Sequence, residues 1–153
     1  MRMRLLIILT TLVLGSPLSV AQERIWNLDH TDQEAYLVFG VPETDDVGVS
    51  FWCTLGSGIV KIYIPEGDPS LKPAVSVDIK LEIGSKTYPL KGKTSVNEEA
   101  ATISFEAELK TADPVFSALR EANHFAVKVG ASNHVFPLGE ADISGLIEVC
   151  GKS

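Results

Sequence analysis

Apolar and polar residues alternate through most of residues 25–110, and this period of two predicts a series of short strands. Residues 75–83 carry it most clearly: Val75, Val77, Ile79, Leu81 and Ile83 alternate with Ser76, Asp78, Lys80 and Glu82, a strand with one wet face. Residues 25–30 and 34–40 predict the first two strands, the second with Ala35, Leu37 and Phe39 on one face. A turn over residues 41–46 follows, rich in Pro, Thr and Asp. In residues 47–54, Val47, Val49, Phe51 and Cys53 alternate with Gly48, Ser50, Trp52 and Thr54. That period places Cys53 beside Phe51 on the core face and Trp52 on the opposite one. Leu55-Gly-Ser-Gly58 turns the chain into a fourth strand over residues 59–64, a hairpin.

Three prolines mark residues 65–73 as a loop. After the strand at 75–83, Gly84-Ser-Lys86 leads into residues 87–92, a weaker strand because Pro89 lacks a ladder donor. Residues 101–109 alternate again through Ala101, Ile103, Phe105, Ala107 and Leu109. Helical spacing begins at Asp113-Pro114, a cap followed by proline at the first helical position, with Val115, Phe116, Leu119 and Ala122 on one stripe. Phe125, Val127 and Val129 return to period two, and residues 130–133 turn the chain into Val135 and Phe136. That turn would set Val129 near His134. Ile143, Leu146, Ile147 and Cys150 then fall at i, i+3, i+4 and i+7 of a final helix. The expected fold is mainly β: an antiparallel sandwich or open barrel of seven to nine short strands, with two short helices near the C-terminus.

The first residues follow another pattern. Residues 1–4 are basic, residues 5–14 are apolar, and Ser19 and Ala21 are small, the arrangement of a cleaved signal peptide. Ten or so apolar residues are too few to span a bilayer, which needs about twenty. A mature chain of one domain over residues 22–153 is expected, exported to the periplasm or beyond. Its loss of Arg2 and Arg4, with no acid, leaves 11 basic against 20 acidic residues, net −9. Such a surface disfavours nucleic acid and anionic headgroups; it reads first as solubilising charge, with a basic protein partner as the functional alternative. No membrane insertion is expected after cleavage.

Cys53 and Cys150 are the two cysteines of the chain, and in an exported protein they predict one disulfide. Free thiols or a metal pair are the alternatives, but no histidine lies at ligand spacing from either. Closing so long a loop removes chain entropy equivalent to roughly 4–5 kcal/mol at most.

Residues that carry chemistry are sparse. His30 lies in Asp29-His-Thr-Asp32 with Glu34 nearby, a polar cluster that reads as a solvated turn. His124 and His134 read as exposed strand-end histidines. Ser57 in Gly56-Ser-Gly58 lacks the Gly-x-Ser-x-Gly elbow, and a disulfide leaves no thiol nucleophile. Glu98 and Glu99 read as solvated loop charge, and no phosphate or calcium loop is present. No catalytic residue, metal ligand or cofactor is assigned. Trp52 and the turn acids Glu43, Asp45 and Asp46 form the candidate binding surface. Cover of Trp52 by a loop or by a second layer is the competing expectation. Trp26, near the start of the mature chain, is the other tryptophan.

Phe116-Ser-Ala-Leu-Arg-Glu-Ala, Phe125-Ala-Val-Lys-Val, Val135-Phe-Pro-Leu-Gly and a short helix ending in Cys150 cover about forty residues. This arrangement resembles the C-terminal part of small exported proteins of alphaproteobacteria, including the invasion-associated locus B group. The resemblance implies a periplasmic, disulfide-containing β protein and, by association, envelope stress or host interaction. The functional expectation is a non-catalytic binding or protein-interaction module of the envelope, using Trp52 or an exposed sheet edge. An acidic inhibitor of a basic, lysozyme-type cell-wall hydrolase is the first alternative, and a small hydrolase or metal-dependent enzyme the second.

Overall fold

A computed structural model describes residues 22–98 and 100–151, so the expected signal segment and Glu99 lie outside the described residues. The elements follow in the order β1 (Ile25–His30), β2 (Glu34–Gly40), β3 (Val47–Thr54), β4 (Ile59–Ile64), β5 (Ser76–Ile83), β6 (Lys86–Asn97) and β7 (Thr102–Lys110). Helix α1 (Pro114–Glu121), β8 (His124–Val129), β9 (Ser132–Pro137) and α2 (Ile143–Cys150) complete the chain. All nine strands form one antiparallel sheet in the order β1-β2-β3-β4-β7-β6-β5-β8-β9.

The sheet rolls on itself rather than splitting into two layers. Phe51 on β3 meets Phe125 on β8 at 5.9 Å between ring centroids, although five strand boundaries separate them in the sheet. Phe39 on β2 likewise meets Phe136 on β9 at 6.2 Å. No ladder joins β1 to β9 among the described residues; the Trp26 indole N–H instead donates to the Pro137 carbonyl at 2.6 Å. The architecture is therefore an open barrel, one of the two forms expected. Its inside is apolar, with Leu37, Phe51, Ile62, Ile79, Leu81, Phe105 and Phe125 fully buried. Its outward positions on β5, β6 and β7 include Asp78, Lys80, Lys91, Lys93, Glu106 and Glu108, so the wet face is the outer one.

Both helices serve the end of the barrel where β3 turns into β4. Helix α1 buries Val115, Phe116 and Leu119, and its N-cap Asp113 accepts from the Val115 N–H at 2.9 Å. Helix α2 buries Ile143, Leu146 and Cys150, and Asp142 caps it through the Gly145 N–H at 2.8 Å. The Gly56 and Gly58 N–H groups donate to the carbonyls of Val149 and Cys150, satisfying acceptors that a helix C-terminus leaves open. Cys150 is bonded to Cys53 with the Cα atoms 5.8 Å apart, closing 97 residues of separation. The expected disulfide is present, between two buried cysteines.

Three expectations need correction. Strand β6 runs on to Asn97, past the expected end at residue 92, and Pro89 falls where β6 pairs with β5 alone, so one of its edges is free. It then crosses from β5 to β7 at Gly92, where a Cβ would stand 2.6 Å from the Glu106 carbonyl and 2.3 Å from Ile79. Val47 does not share the core face with Val49. A bulge between β2 and β3 pairs Phe39 with Val49 but Gly40 with Val47, and the extra residue Gly48 turns Val47 outward. The β8–β9 turn is two residues tighter than expected, with Val129 opposite Ser132 and His134 opposite Val127. Gly130, at φ +56, makes that tight turn possible. His134 points inward opposite Val127, the same face it would share with Val129, because a two-residue shift leaves the face unchanged.

Candidate functional site

Outward residues of β1 to β4 and β7 line up in rows set by the register. One row runs Asp29, Tyr36, Trp52, Lys61, Glu108 across five strands, and the next runs Asn27, Val38, Ser50, Tyr63, Glu106. In the first row the Tyr36 and Trp52 rings lie 6.3 Å apart and within 17° of parallel. The Lys61 ammonium sits 4.6 Å from the centre of the Trp52 ring and 3.4 Å from the Glu106 carboxylate. Trp52 is thus half-buried between its own cross-strand neighbours, not beneath a loop or a second layer. Its faces are engaged by a tyrosine and a cation, interactions worth about 0.5–1 kcal/mol each at an exposed site. Trp26 faces the other way, buried against Phe39 and Phe51, and contributes to no outer surface.

Beside this stack, the second row opens into a groove of about 540 Å³. Ser50 lies at its floor, nine-tenths buried. Tyr36, Tyr63, Val38, Val47 and Pro65 line its walls. The bulge at Gly48 builds this groove, since it carries Val47 outward beside Val38 and brings the turn acids over the rim. Asp45 and Asp46 line one side and Glu66 another.

The predicted turn acids therefore divide. Asp46 is held by Arg24, whose Nε donates to Oδ1 at 2.9 Å, so it is not free to meet a partner unaided. Asp45 stands on the rim without an ion pair to a described residue, as does Glu66. Glu43, at φ +61, faces a neighbouring depression lined by Ile25, Asn27 and Asp29. Asp45 and Asp46 are brought together with the aromatic groove, Trp52 adjoins it through Tyr36, and Glu43 lies apart. Tyr36, Tyr63 and Glu66 were not singled out from the sequence. Alternation marks both tyrosines as outward, but their convergence over Ser50 depends on register and on the bulge.

The histidines are dispersed. His30 and His124 are exposed, in keeping with strand-end positions, whereas His134 is half-buried inside the barrel. It stacks within 9° of Phe136 and lies 6.2 Å from Phe105. Its Nε2 is buried without a hydrogen-bond partner among the described residues. Burial pushes its pKa below the ordinary 6.5, and the nearby Glu66 carboxylate pulls the other way. At the same end of the barrel the buried Asp68 carboxylate accepts from the Ser70 hydroxyl at 2.5 Å, the Ser70 N–H at 2.9 Å and the Ala131 N–H at 3.2 Å. These donors hold its carboxyl below the usual range, with the Ser70 hydroxyl the largest cause. Among the described residues no group of three His, Cys, Asp or Glu side chains could hold a metal ion. Likewise no described helix is long and apolar enough to cross a membrane.

No family model, curated protein or solved structure matches the chain.

Proposed function

We propose that the protein is an exported, non-catalytic interaction module of the bacterial envelope that docks a basic protein partner on the outer face of β2, β3 and β4. The observation that carries this reading is the aromatic groove over Ser50, rimmed by the unpaired carboxylates of Asp45 and Glu66. An aromatic-walled concavity with uncompensated negative charge complements a cationic surface, and the expected net −9 of the mature chain would steer such a partner. Periplasmic or secreted placement draws on the N-terminal pattern and on the disulfide, which persists in oxidising compartments. The likeness to the locus B group belongs with this proposal as a further reason to look in the envelope.

A photo-crosslinking side chain at Ala100, on the groove rim, tests the docking face against one at Val135, exposed on β9. The expected result is a crosslink to a protein of basic isoelectric point from position 100 alone, lost when Asp45→Asn and Glu66→Gln are combined. Equal crosslinking from both positions, or survival in the double variant, would count against the proposal.

The inhibitor reading has its own support in the β2–β3 turn, where Glu43 and Asp45 are exposed and Arg24 braces the loop through Asp46. Incubation with lysozyme at low and at physiological salt separates the two readings. Unchanged lytic activity at both salts ends the inhibitor version and leaves the docking module standing.

A further inference from the structure

We infer that the groove over Ser50 is an anchor site for one arginine side chain of the protein partner, an inference that rests on the β2–β3–β4 face being the docking surface. Three features of the groove select this group. Its walls include two tyrosine rings, Tyr36 and Tyr63, diagonal to one another across Ser50 in the register. A planar guanidinium stacks on such rings, whereas an ammonium meets them as a hydrated point charge. Its rim carries the Asp45 and Glu66 carboxylates on different segments, one before β3 and one after β4. Five N–H donors in a rigid fork can address both, while a lysine concentrates its charge at one point. The floor adds Ser50, a residue nine-tenths buried, within a lining that also includes Val38, Val47 and Pro65. Those apolar walls suit the methylene stem that carries the guanidinium.

The neighbouring stack shows why the ligand enters here and not at Trp52. Lys61 already occupies one face of the Trp52 ring and Tyr36 the other, so that aromatic is spoken for by the chain itself. The groove contains the same chemistry with its cation missing: tyrosine rings and carboxylates, but no lysine or arginine among its lining residues. Arg24 pairs with Asp46 and does not line the groove, and no ion pair to a described residue engages Asp45 or Glu66.

Three blocked tripeptides, Gly-Arg-Gly, Gly-Lys-Gly and Gly-citrulline-Gly, titrated into isotopically labelled mature protein provide the test. Amide shifts at Ser50, Tyr63 and Glu66 report the site. The arginine peptide is expected to shift these amides, and its citrulline isostere, which keeps the shape but loses the charge, to bind about tenfold more weakly or not at all. The lysine peptide should fall between them. Combining Asp45→Asn with Glu66→Gln should abolish the arginine shifts while the rest of the spectrum stays folded. Equal affinity for the three peptides, shifts confined to other strands, or the same shifts produced by an uncharged oligosaccharide would overturn the anchor. Crosslinking at Ala100 to a basic partner, with no response to the arginine peptide, would overturn the anchor while leaving the docking face intact. Failure of both would remove the face as well.

Discussion

The indole N–H of Trp26 and the carbonyl of Pro137 meet at 2.6 Å across 111 residues, and this bond helps close the seam between the first and last strands. Its position explains why an open barrel holds its shape without a β1–β9 ladder. Around it Trp26 packs on Phe39 and Phe51, and Phe39 on Phe136, so the seam is apolar inside and hydrogen-bonded at the edge. Trp26→Phe keeps much of the apolar volume and removes the donor. It should cost about 0.5–1.5 kcal/mol in urea unfolding, the net worth of one hydrogen bond whose acceptor residue, Pro137, is exposed. Hydrogen exchange should accelerate first in β1 and β9. A variant with unchanged stability and exchange would show that packing alone holds the seam.

Cys53→Ala and Cys150→Ala should each destabilise the oxidised protein by up to roughly 4–5 kcal/mol, the chain-entropy value for a loop near 100 residues. The double variant should be no worse than either single one, because both remove the same bond. Protease resistance should drop in parallel, with early cleavage near α2, which the disulfide and the Gly56 and Gly58 hydrogen bonds dock to the β3–β4 turn. Additive losses would point to separate roles for the two sulfurs.

His134 makes stability depend on pH near neutrality. Its folded pKa is lowered by burial below the ordinary 6.5, so the unfolded chain binds the proton more readily. Stability is therefore fully present above 6.5 and is lost as pH falls from there through the lowered folded value. His134→Phe should flatten the melting temperature as pH falls below about 6.5, the histidine reference value. Identical slopes in wild type and variant would rule His134 out as the titrating group.

Asp68 acts in a lower window. The Ser70 hydroxyl, the Ser70 N–H and the Ala131 N–H stabilise its ionised form in the folded state, so its contribution is present above the ordinary 3.8. It is lost as pH falls through the depressed folded value. Asp68→Asn should reduce stability at pH 7 and weaken the acid transition, because the 65–75 loop would lose its tie to the β8–β9 turn. Acid unfolding profiles that superimpose would contradict this.

Lys61→Met should weaken the sheet by about 0.5–1 kcal/mol through loss of the cation over Trp52. A double-mutant cycle with Trp52→Leu isolates the pair, and a coupling energy near zero would mean that the stacked geometry carries no energy. The Trp26→Phe variant leaves Trp52 as the remaining tryptophan, so its emission can be followed alone with and without Lys61→Met.

Period two along residues 25–110 already determined the strands and the inward face of Ala35, Leu37, Phe51 and Cys53, and helical spacing beyond it the two helices, because these depend on local spacing. Two cysteines in a chain with an export pattern likewise determined the disulfide. Tertiary structure decided everything that depends on which strands become neighbours. It set β4 beside β7, rolled β3 against β8, and enclosed Trp52 between Tyr36 and Lys61. It also turned Val47 outward at the Gly48 bulge and set His134 opposite Val127 through the tight turn at Gly130. A one-residue change in register reverses the face of a side chain, and alternation cannot report the residue at which it occurs. The acids Asp45 and Asp46 were legible as a charged turn; that they overhang tyrosines from two other strands was written only in the pairing.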